Sequence, residues 1–274
     1  MNPRKIIIGT ELFSGSRDKK YYLKEVFTLL NGALKLGINQ IDTAPSYGQN
    51  FSVEKMVGSA IKKNRNKFKL STKFTNAIGM SNSTKRLDAI KRNFEISLNN
   101  LQTSFIDNYF FHSGDNLEFF DDKIWQFLNE LKKKKLIVNL GLALKHNLVK
   151  QNSLSQIKYS KNYGIKIIST TLNMFSQESV KKIIPYCQKN KLKIWGRMPL
   201  AKGLLSGKYK HINSLGVKDL RFTQEKKISK QIIDFALKNK INTSKALKWA
   251  EKNSDAVIVG FKDLRQLKEI LNQK

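Results

Sequence analysis

Residues 37–61 read GINQIDTAPSYGQNFSVEKMVGSAI and change character twice. A short apolar run ends on Asp42, a loop of small residues delivers Tyr47 and Gly48, and then Val53, Met56, Val57, Ala60 and Ile61 recur at helical spacing. The stretch is therefore a strand, a loop and a helix in succession. It leaves a carboxylate at the end of the strand and a phenol just beyond it.

The same alternation continues on both sides. Short β-branched or apolar runs occur at 5–10 (KIIIGT), 38–43 (INQIDT), 68–73 (FKLSTK), 105–112 (FIDNYFFH), 136–143 (LIVNLGLA), 165–170 (IKIIST), 192–198 (LKIWGRM) and 256–261 (AVIVGF). Longer amphipathic runs lie between them, among them 22–36, 84–101, 121–135, 176–190 and 225–239. The run over 84–101 shows a core stripe in Leu87, Ile90, Phe94, Leu98 and Leu101. Eight strands with intervening helices in a chain of this length predict an α/β protein of the closed (β/α)8 TIM barrel type, with one domain over residues 1–274. An open doubly wound sheet is the alternative, but its glycine-rich phosphate turn is absent: GTELFSGS after the first run contains no G-x-G-x-x-G.

Composition narrows the function classes. No segment is long and apolar enough for a membrane span or a signal peptide, so a cytoplasmic protein without a membrane partner is expected. Cys187 is the only cysteine, which excludes an internal disulfide and a cysteine-based zinc site, and no metal is expected. The net charge of +30 raises the question of nucleic acid. Its lysines are scattered through helix faces and loops, however, and the one tight run, Lys132 to Lys135, closes a predicted helix, where cations complement the dipole. No nucleic-acid motif accompanies the charge, so nonspecific polyanion adsorption is expected and a specific nucleic-acid partner is not. Oligomeric state leaves no signature in the sequence.

In a (β/α)8 barrel, chemistry gathers where strands end and the following loops begin. Asp42 ends the second strand candidate, Lys73 the third and His112 the fourth, while Tyr47 lies in the loop after the second. Each alone has an ordinary structural explanation: a turn-initiating Asp, a solvated lysine, a loop histidine. Together they line one rim.

At these residues the sequence resembles the aldo-keto reductase superfamily, and the similarity extends along essentially the whole chain. It is carried by DTAPSYG (Asp42, Tyr47), LSTKF (Lys73), YFFHSGD (His112), PLAKGLLSGKY at 199–209, ALKWAEKNSDAVIVG at 246–260 and the trailing FKDLRQLKEIL. The resemblance implies a barrel that binds NADPH without a Rossmann domain and reduces aldehydes or ketones. In that chemistry Tyr47 is the general acid, because hydride arrival builds negative charge on the carbonyl oxygen. Lys73 lowers the phenol pKa, Asp42 keeps Lys73 charged, and His112 donates to the carbonyl and orients it. The resemblance also assigns the cofactor to Thr10, Asp42, Arg197, Leu200, Gly203, Lys208, Gly260, Lys262 and Gln266. Arg197 would stack on the nicotinamide, the backbone from Pro199 to Gly203 would approach the pyrophosphate, helped by Gly203 and Gly207, and Lys262 with Gln266 would favour NADPH over NADH.

Two departures stand out. Ala143 and Leu144 occupy the place of a Ser-Asn pair that holds the nicotinamide carboxamide in the family, and Ser169 stands where a Gln is usual, with Asn173 retained nearby. Either His146 or Asn147 would then substitute, or the cofactor would be held loosely. The small-molecule carbonyl substrate has no readable code in the rim loops. Phe51, Phe74 and Phe111 are candidates for an apolar pocket, with core packing the favoured role for most phenylalanines, and a chain stopping soon after its last helix suggests an open site. The alternatives to a reductase are a cofactor-sensing or partner-binding barrel with weak or no turnover, motivated by the missing pair, and an aldolase using Lys73 as a Schiff base.

Overall fold

The computed structural model describes residues 1–15, 20–75, 82–112, 116–144, 151–176, 179–214 and 226–271, and the side chains of Thr75 and of residues 151–153 lie outside that description. Eight strands, β1 (Ile6–Gly9), β2 (Gln40–Asp42), β3 (Lys69–Thr75), β4 (Ile106–His112), β5 (Ile137–Ala143), β6 (Ile165–Thr171), β7 (Lys193–Arg197) and β8 (Ala256–Val259), close into a barrel in sequence order. All neighbours are parallel, and the barrel shuts where Ile6 pairs with Val257. The predicted (β/α)8 architecture is thus the observed one. No described helix is long and apolar enough to cross a membrane.

Alternation along each strand separates two cores. Ile7, Phe110, Ala143, Ile167, Trp195 and Ala256 meet inside the barrel. Phe110 and Trp195 stand 5.1 Å apart there, and Gly141 admits the Phe110 ring, which a Cβ on Gly141 would approach to 2.3 Å. The residues between them on each strand pack outward against helices, including α1 (Leu23–Lys35), α2 (Ser52–Ile61) and α3 (Ser83–Leu101). Phe74 and Phe111 belong to this outer layer, clustered with Tyr109, Phe119 and Trp125. Of the two roles weighed for them, core packing is the one observed: on strands that turn Lys73 and His112 inward, the intervening Phe74 and Phe111 must turn outward.

Boundaries moved in three instructive places. β3 runs two residues past Lys73, because Phe74 and Thr75 still pair with Phe111 and His112, so Lys73 lies inside the wall rather than at its end. The helix expected over 176–190 is a π-helical turn, Ser179–Ile183, followed by an α-helix, Ile184–Lys189. Pro185 sits at the start of that second piece, where its missing N–H is tolerated. The helix expected over 121–135 spans Asp122–Lys133, with Lys135 in the left-handed region at φ 60°.

Candidate active site

Asp42 closes β2 with its side chain inside the barrel, in register with Ser71 of β3 and two strand positions below Lys73 on the inward face. The following loop turns back at once: Tyr47 N–H donates to the Ala44 carbonyl at 3.0 Å, and Gly48 takes φ 74°. Asn50 and Phe51 then both adopt left-handed backbone, at φ 49° and 59°, before α2 begins. Two consecutive non-glycine residues in that region are strained, and the sharp turn they make leads the chain from the Tyr47 loop into α2.

Lys73 is the centre of the cluster. Its ammonium donates to Asp42 Oδ1 at 2.9 Å and Oδ2 at 2.8 Å, to the Thr43 carbonyl at 2.7 Å and to the Tyr47 hydroxyl at 3.3 Å. Both partners of the Lys73–Asp42 pair are almost fully buried. Burial works to lower the Lys73 pKa, yet the Asp42 carboxylate and the Tyr47 oxygen outweigh it, and the group is held above the ordinary lysine value. Because the ammonium donates to the phenol oxygen, the phenol's own proton is left to point elsewhere.

Lys73 lowers the Tyr47 pKa, as expected, but the net shift is upward. Burial raises the Tyr47 pKa, Lys73 offsets this only in part, and Asp42 and Glu11 add to the rise. Tyr47 is therefore a neutral phenol throughout the physiological range, which suits a group that must arrive with its proton. His112 is shifted oppositely: burial, with Lys73 and Arg197 nearby, pushes its pKa down to about 3. A neutral imidazole carries one N–H, so His112 can donate a hydrogen bond without carrying charge.

Arg197, at the end of β7, reaches across β6 to donate to the Leu144 carbonyl and lies within electrostatic range of Tyr47, Asp42 and His112. Burial lowers its pKa. Asp42, Tyr47, Lys73, His112 and Arg197 thus converge on one mouth of the barrel.

The other candidates for the cofactor divide. Thr10 is buried and committed to Asp42, whose carbonyl accepts both its N–H and its hydroxyl, at 3.1 and 3.0 Å. Leu200 and Gly203 lie in the tight turns after β7, where Gly203 takes φ 90°. At Gly207 the missing side chain serves the fold, since a Cβ would stand 2.8 Å from the Ile241 carbonyl. Lys208 lies over the Tyr209 ring. Gly260 follows β8, and the exposed Lys262 offers its N–H to Gln266 Oε1 at 2.7 Å. Asn173 is occupied: its oxygen accepts from the N–H groups of Phe175 and Ser176, and its amide donates to Met198. It is not a free carboxamide ligand. His146 and Asn147 lie outside the described residues.

The wall near Arg197 nonetheless fits an amide-bearing group. Ser169 Oγ, Thr171 Oγ1 and Arg197 Nε are buried without a hydrogen-bond partner among the described residues. Ser169 and Thr171 share the inward face of β6 with Ile167, and Thr171 is the register partner of Arg197. Two hydroxyls and a guanidine N–H offer the donors and acceptors that Ala143 and Leu144 lack. Sequence reading passed over Thr171 and the Thr43 carbonyl. The first looks like any strand threonine, and a backbone acceptor leaves no mark in a sequence.

Comparison with known proteins places the chain in a family. The sequence profile described as Aldo/keto reductase family matches residues 5–273, and the chain belongs to that family. It is 30% identical over 189 residues to a Bacillus subtilis protein named "Uncharacterized oxidoreductase YqkF", covering 67% of this chain and 58% of that one. It is 27% identical over 214 residues to the NADH-specific methylglyoxal reductase of Escherichia coli, covering 73% and 62%. The chain thus matches about three fifths of the length of these relatives. The structure of the glycerol dehydrogenase AKR11B4 from Gluconobacter oxydans superposes with a TM-score of 0.76 at 23% identity, over 97% of this chain and 86% of that one, which establishes the shared fold.

Proposed function

We propose that this protein is a nicotinamide-dependent carbonyl reductase in which Tyr47 protonates the substrate oxygen. The observation that carries the reading is the Lys73 ammonium, which is 3.3 Å from the Tyr47 hydroxyl and fixed from behind by both oxygens of Asp42. A nicotinamide cofactor, when bound, supplies the hydride. As the carbonyl oxygen gains charge, the Tyr47 hydroxyl and the His112 N–H donate to it, and the proton passes from Tyr47. Lys73, already donating to the phenol oxygen, stabilises the phenolate that proton transfer leaves behind. Ser169, Thr171 and Arg197 would hold the nicotinamide amide, so that its face is presented toward Tyr47 and His112. NADPH is the proposed cofactor because Lys262 offers a cation for an extra phosphate. The NADH-specific Escherichia coli relative makes that preference a point to measure.

The aldolase alternative fares worse, since a Schiff-base lysine needs a free amine and Lys73 is kept protonated by its carboxylate. A panel of small aldehydes and ketones with NADPH and NADH, run on wild type and Tyr47→Phe, tests the proposal. The variant should bind cofactor as the wild type does, read by quenching of Trp195, and lose roughly a hundredfold to ten-thousandfold in kcat. Undiminished turnover in Tyr47→Phe would remove it as the acid.

A further inference from the structure

Glu54 is a carboxylate with no solvent exposure that the proposed mechanism does not use. It projects from the first turn of α2, the helix entered directly from the Tyr47 loop, into the layer between α2, α3 and the outside of the barrel wall. Its Oε1 accepts from the Thr72 hydroxyl at 2.6 Å and its Oε2 from the Ser97 hydroxyl at 3.2 Å. Thr72 is the strand neighbour of Lys73, with its side chain on the opposite face. One carboxyl group therefore ties together the helix that follows the proton donor, the strand that carries the ammonium, and α3.

Such a group is costly as a mere staple, because an apolar residue would fill the same layer without the desolvation penalty of a buried carboxylate. The groups around it are equally specific. Lys73, on β3, favours its ionised form from across the wall. Tyr109, on β4, presents a buried phenol oxygen with no hydrogen-bond partner among the described residues, and burial first, then Glu54, disfavours its ionisation. From α3 come Ser97 and the Asn100 side chain.

We propose that Glu54 is a positioning residue: it locks α2 to β3 from outside the barrel, so that the Tyr47–Lys73 contact, and with it proton donation, depends on whether the Glu54 carboxyl group is ionised. An ionised carboxylate accepts from Thr72 and Ser97 at once. A protonated one accepts strongly through its carbonyl oxygen alone, and the tie through the protonated oxygen must weaken or reverse, its O–H donating to a hydroxyl that formerly donated to it. Burial places this change where an enzyme would feel it, raising the Glu54 pKa to about 7 against the opposing pull of Thr72, Ser97 and Lys73. The inference rests on the reductase reading for its kinetic consequence but not for its structural one.

The test uses the full chain labelled with [13Cζ]tyrosine, in which Tyr47→Phe identifies the Tyr47 resonance. In the wild type that resonance should move through an inflection near pH 7, and kcat should rise by roughly threefold to tenfold across it, with a smaller change in KM. Glu54→Gln keeps an acceptor for Thr72 and cannot ionise, so both profiles should become flat. Thr72→Val leaves the carboxyl group but cuts its tie to β3. The Tyr47 inflection should vanish there while the pH dependence of unfolding due to Glu54 remains. A Tyr47 inflection that persists in Glu54→Gln, or is missing from the wild type, would overturn the inference. Because the resonance is read without substrate, failure to turn over any carbonyl compound would count against the reductase reading alone.

Discussion

Replacing Lys73 by methionine keeps most of the side-chain volume and removes only the charge, so its cost can be worked from the contacts around it. The ammonium makes bonds to both Asp42 oxygens, the Thr43 carbonyl and Tyr47, and the side chains of the ion pair are 1% and 3% exposed. Without Lys73 the Asp42 charge is stranded where water does not reach it. Removing one partner of a buried pair costs about 3–5 kcal/mol, whereas removing both charges leaves no unpaired charge, only the Thr43 carbonyl without its donor. Against a typical total of about 5–15 kcal/mol, the single variant should lose a large share of its stability. Lys73→Met with Asp42→Asn should recover about 2 kcal/mol of that loss. Urea unfolding of the four proteins in the cycle, at neutral pH and in the absence of cofactor, gives the coupling directly. A single-variant loss below about 1 kcal/mol, or a double variant no more stable than the single, would refute the view that the two charges depend on each other.

Two further perturbations separate electrostatics from packing. With its folded pKa near 3 and an unfolded value of 6.5, His112 stays neutral in the fold while the unfolded chain takes up a proton, so stability should fall as pH drops from 6.5 toward 3. His112→Gln should flatten that limb in acid unfolding curves; an unchanged limb would mean that the histidine is not held neutral. Gly58, on α2, faces the end of α3, and a Cβ there would stand 2.2 Å from the Asn100 carbonyl. Gly58→Ala should cost about 2 kcal/mol or more, read as a drop in thermal midpoint, because backbone cannot move aside as a side chain can. An unchanged midpoint would show that the helices separate freely.

Much of this was legible in the chain itself. Alternating strand and helix periods led to the barrel, and four polar residues near successive strand ends led to the acid cluster. What escaped depended on depth. The lowering influence of Lys73 on Tyr47 is inferable from topology, while the extent of burial that outweighs it is not. Glu54 was passed over because an acidic residue in a first helical turn ordinarily complements the dipole at the surface. A signal existed: Glu54 shares its helix face with Val57, Gly58 and Ile61, which places a carboxylate on the buried side. The choice between pocket and core for Phe74 and Phe111 was decidable in the same way, since the inward placement of their neighbours Lys73 and His112 excludes them from the interior.

The closure of the barrel bears on how the molecule comes into being. Lys73 meets Asp42 and Tyr47 across only 31 and 26 positions, whereas the seam joins the first strand of the chain to the last. Closing the longer loop costs about 2 kcal/mol more in chain entropy. The strands that carry the proton donor and its ammonium are therefore a local part of the topology, and contacts close in sequence form soonest. By separation only the seam between β1 and β8 lies late; the β6–β7 wall pairs across 26 positions and is as local, but its residues leave the ribosome after those of β2 and β3. During synthesis the acid half of the reaction can take shape while the wall that would hold the hydride donor is still unmade.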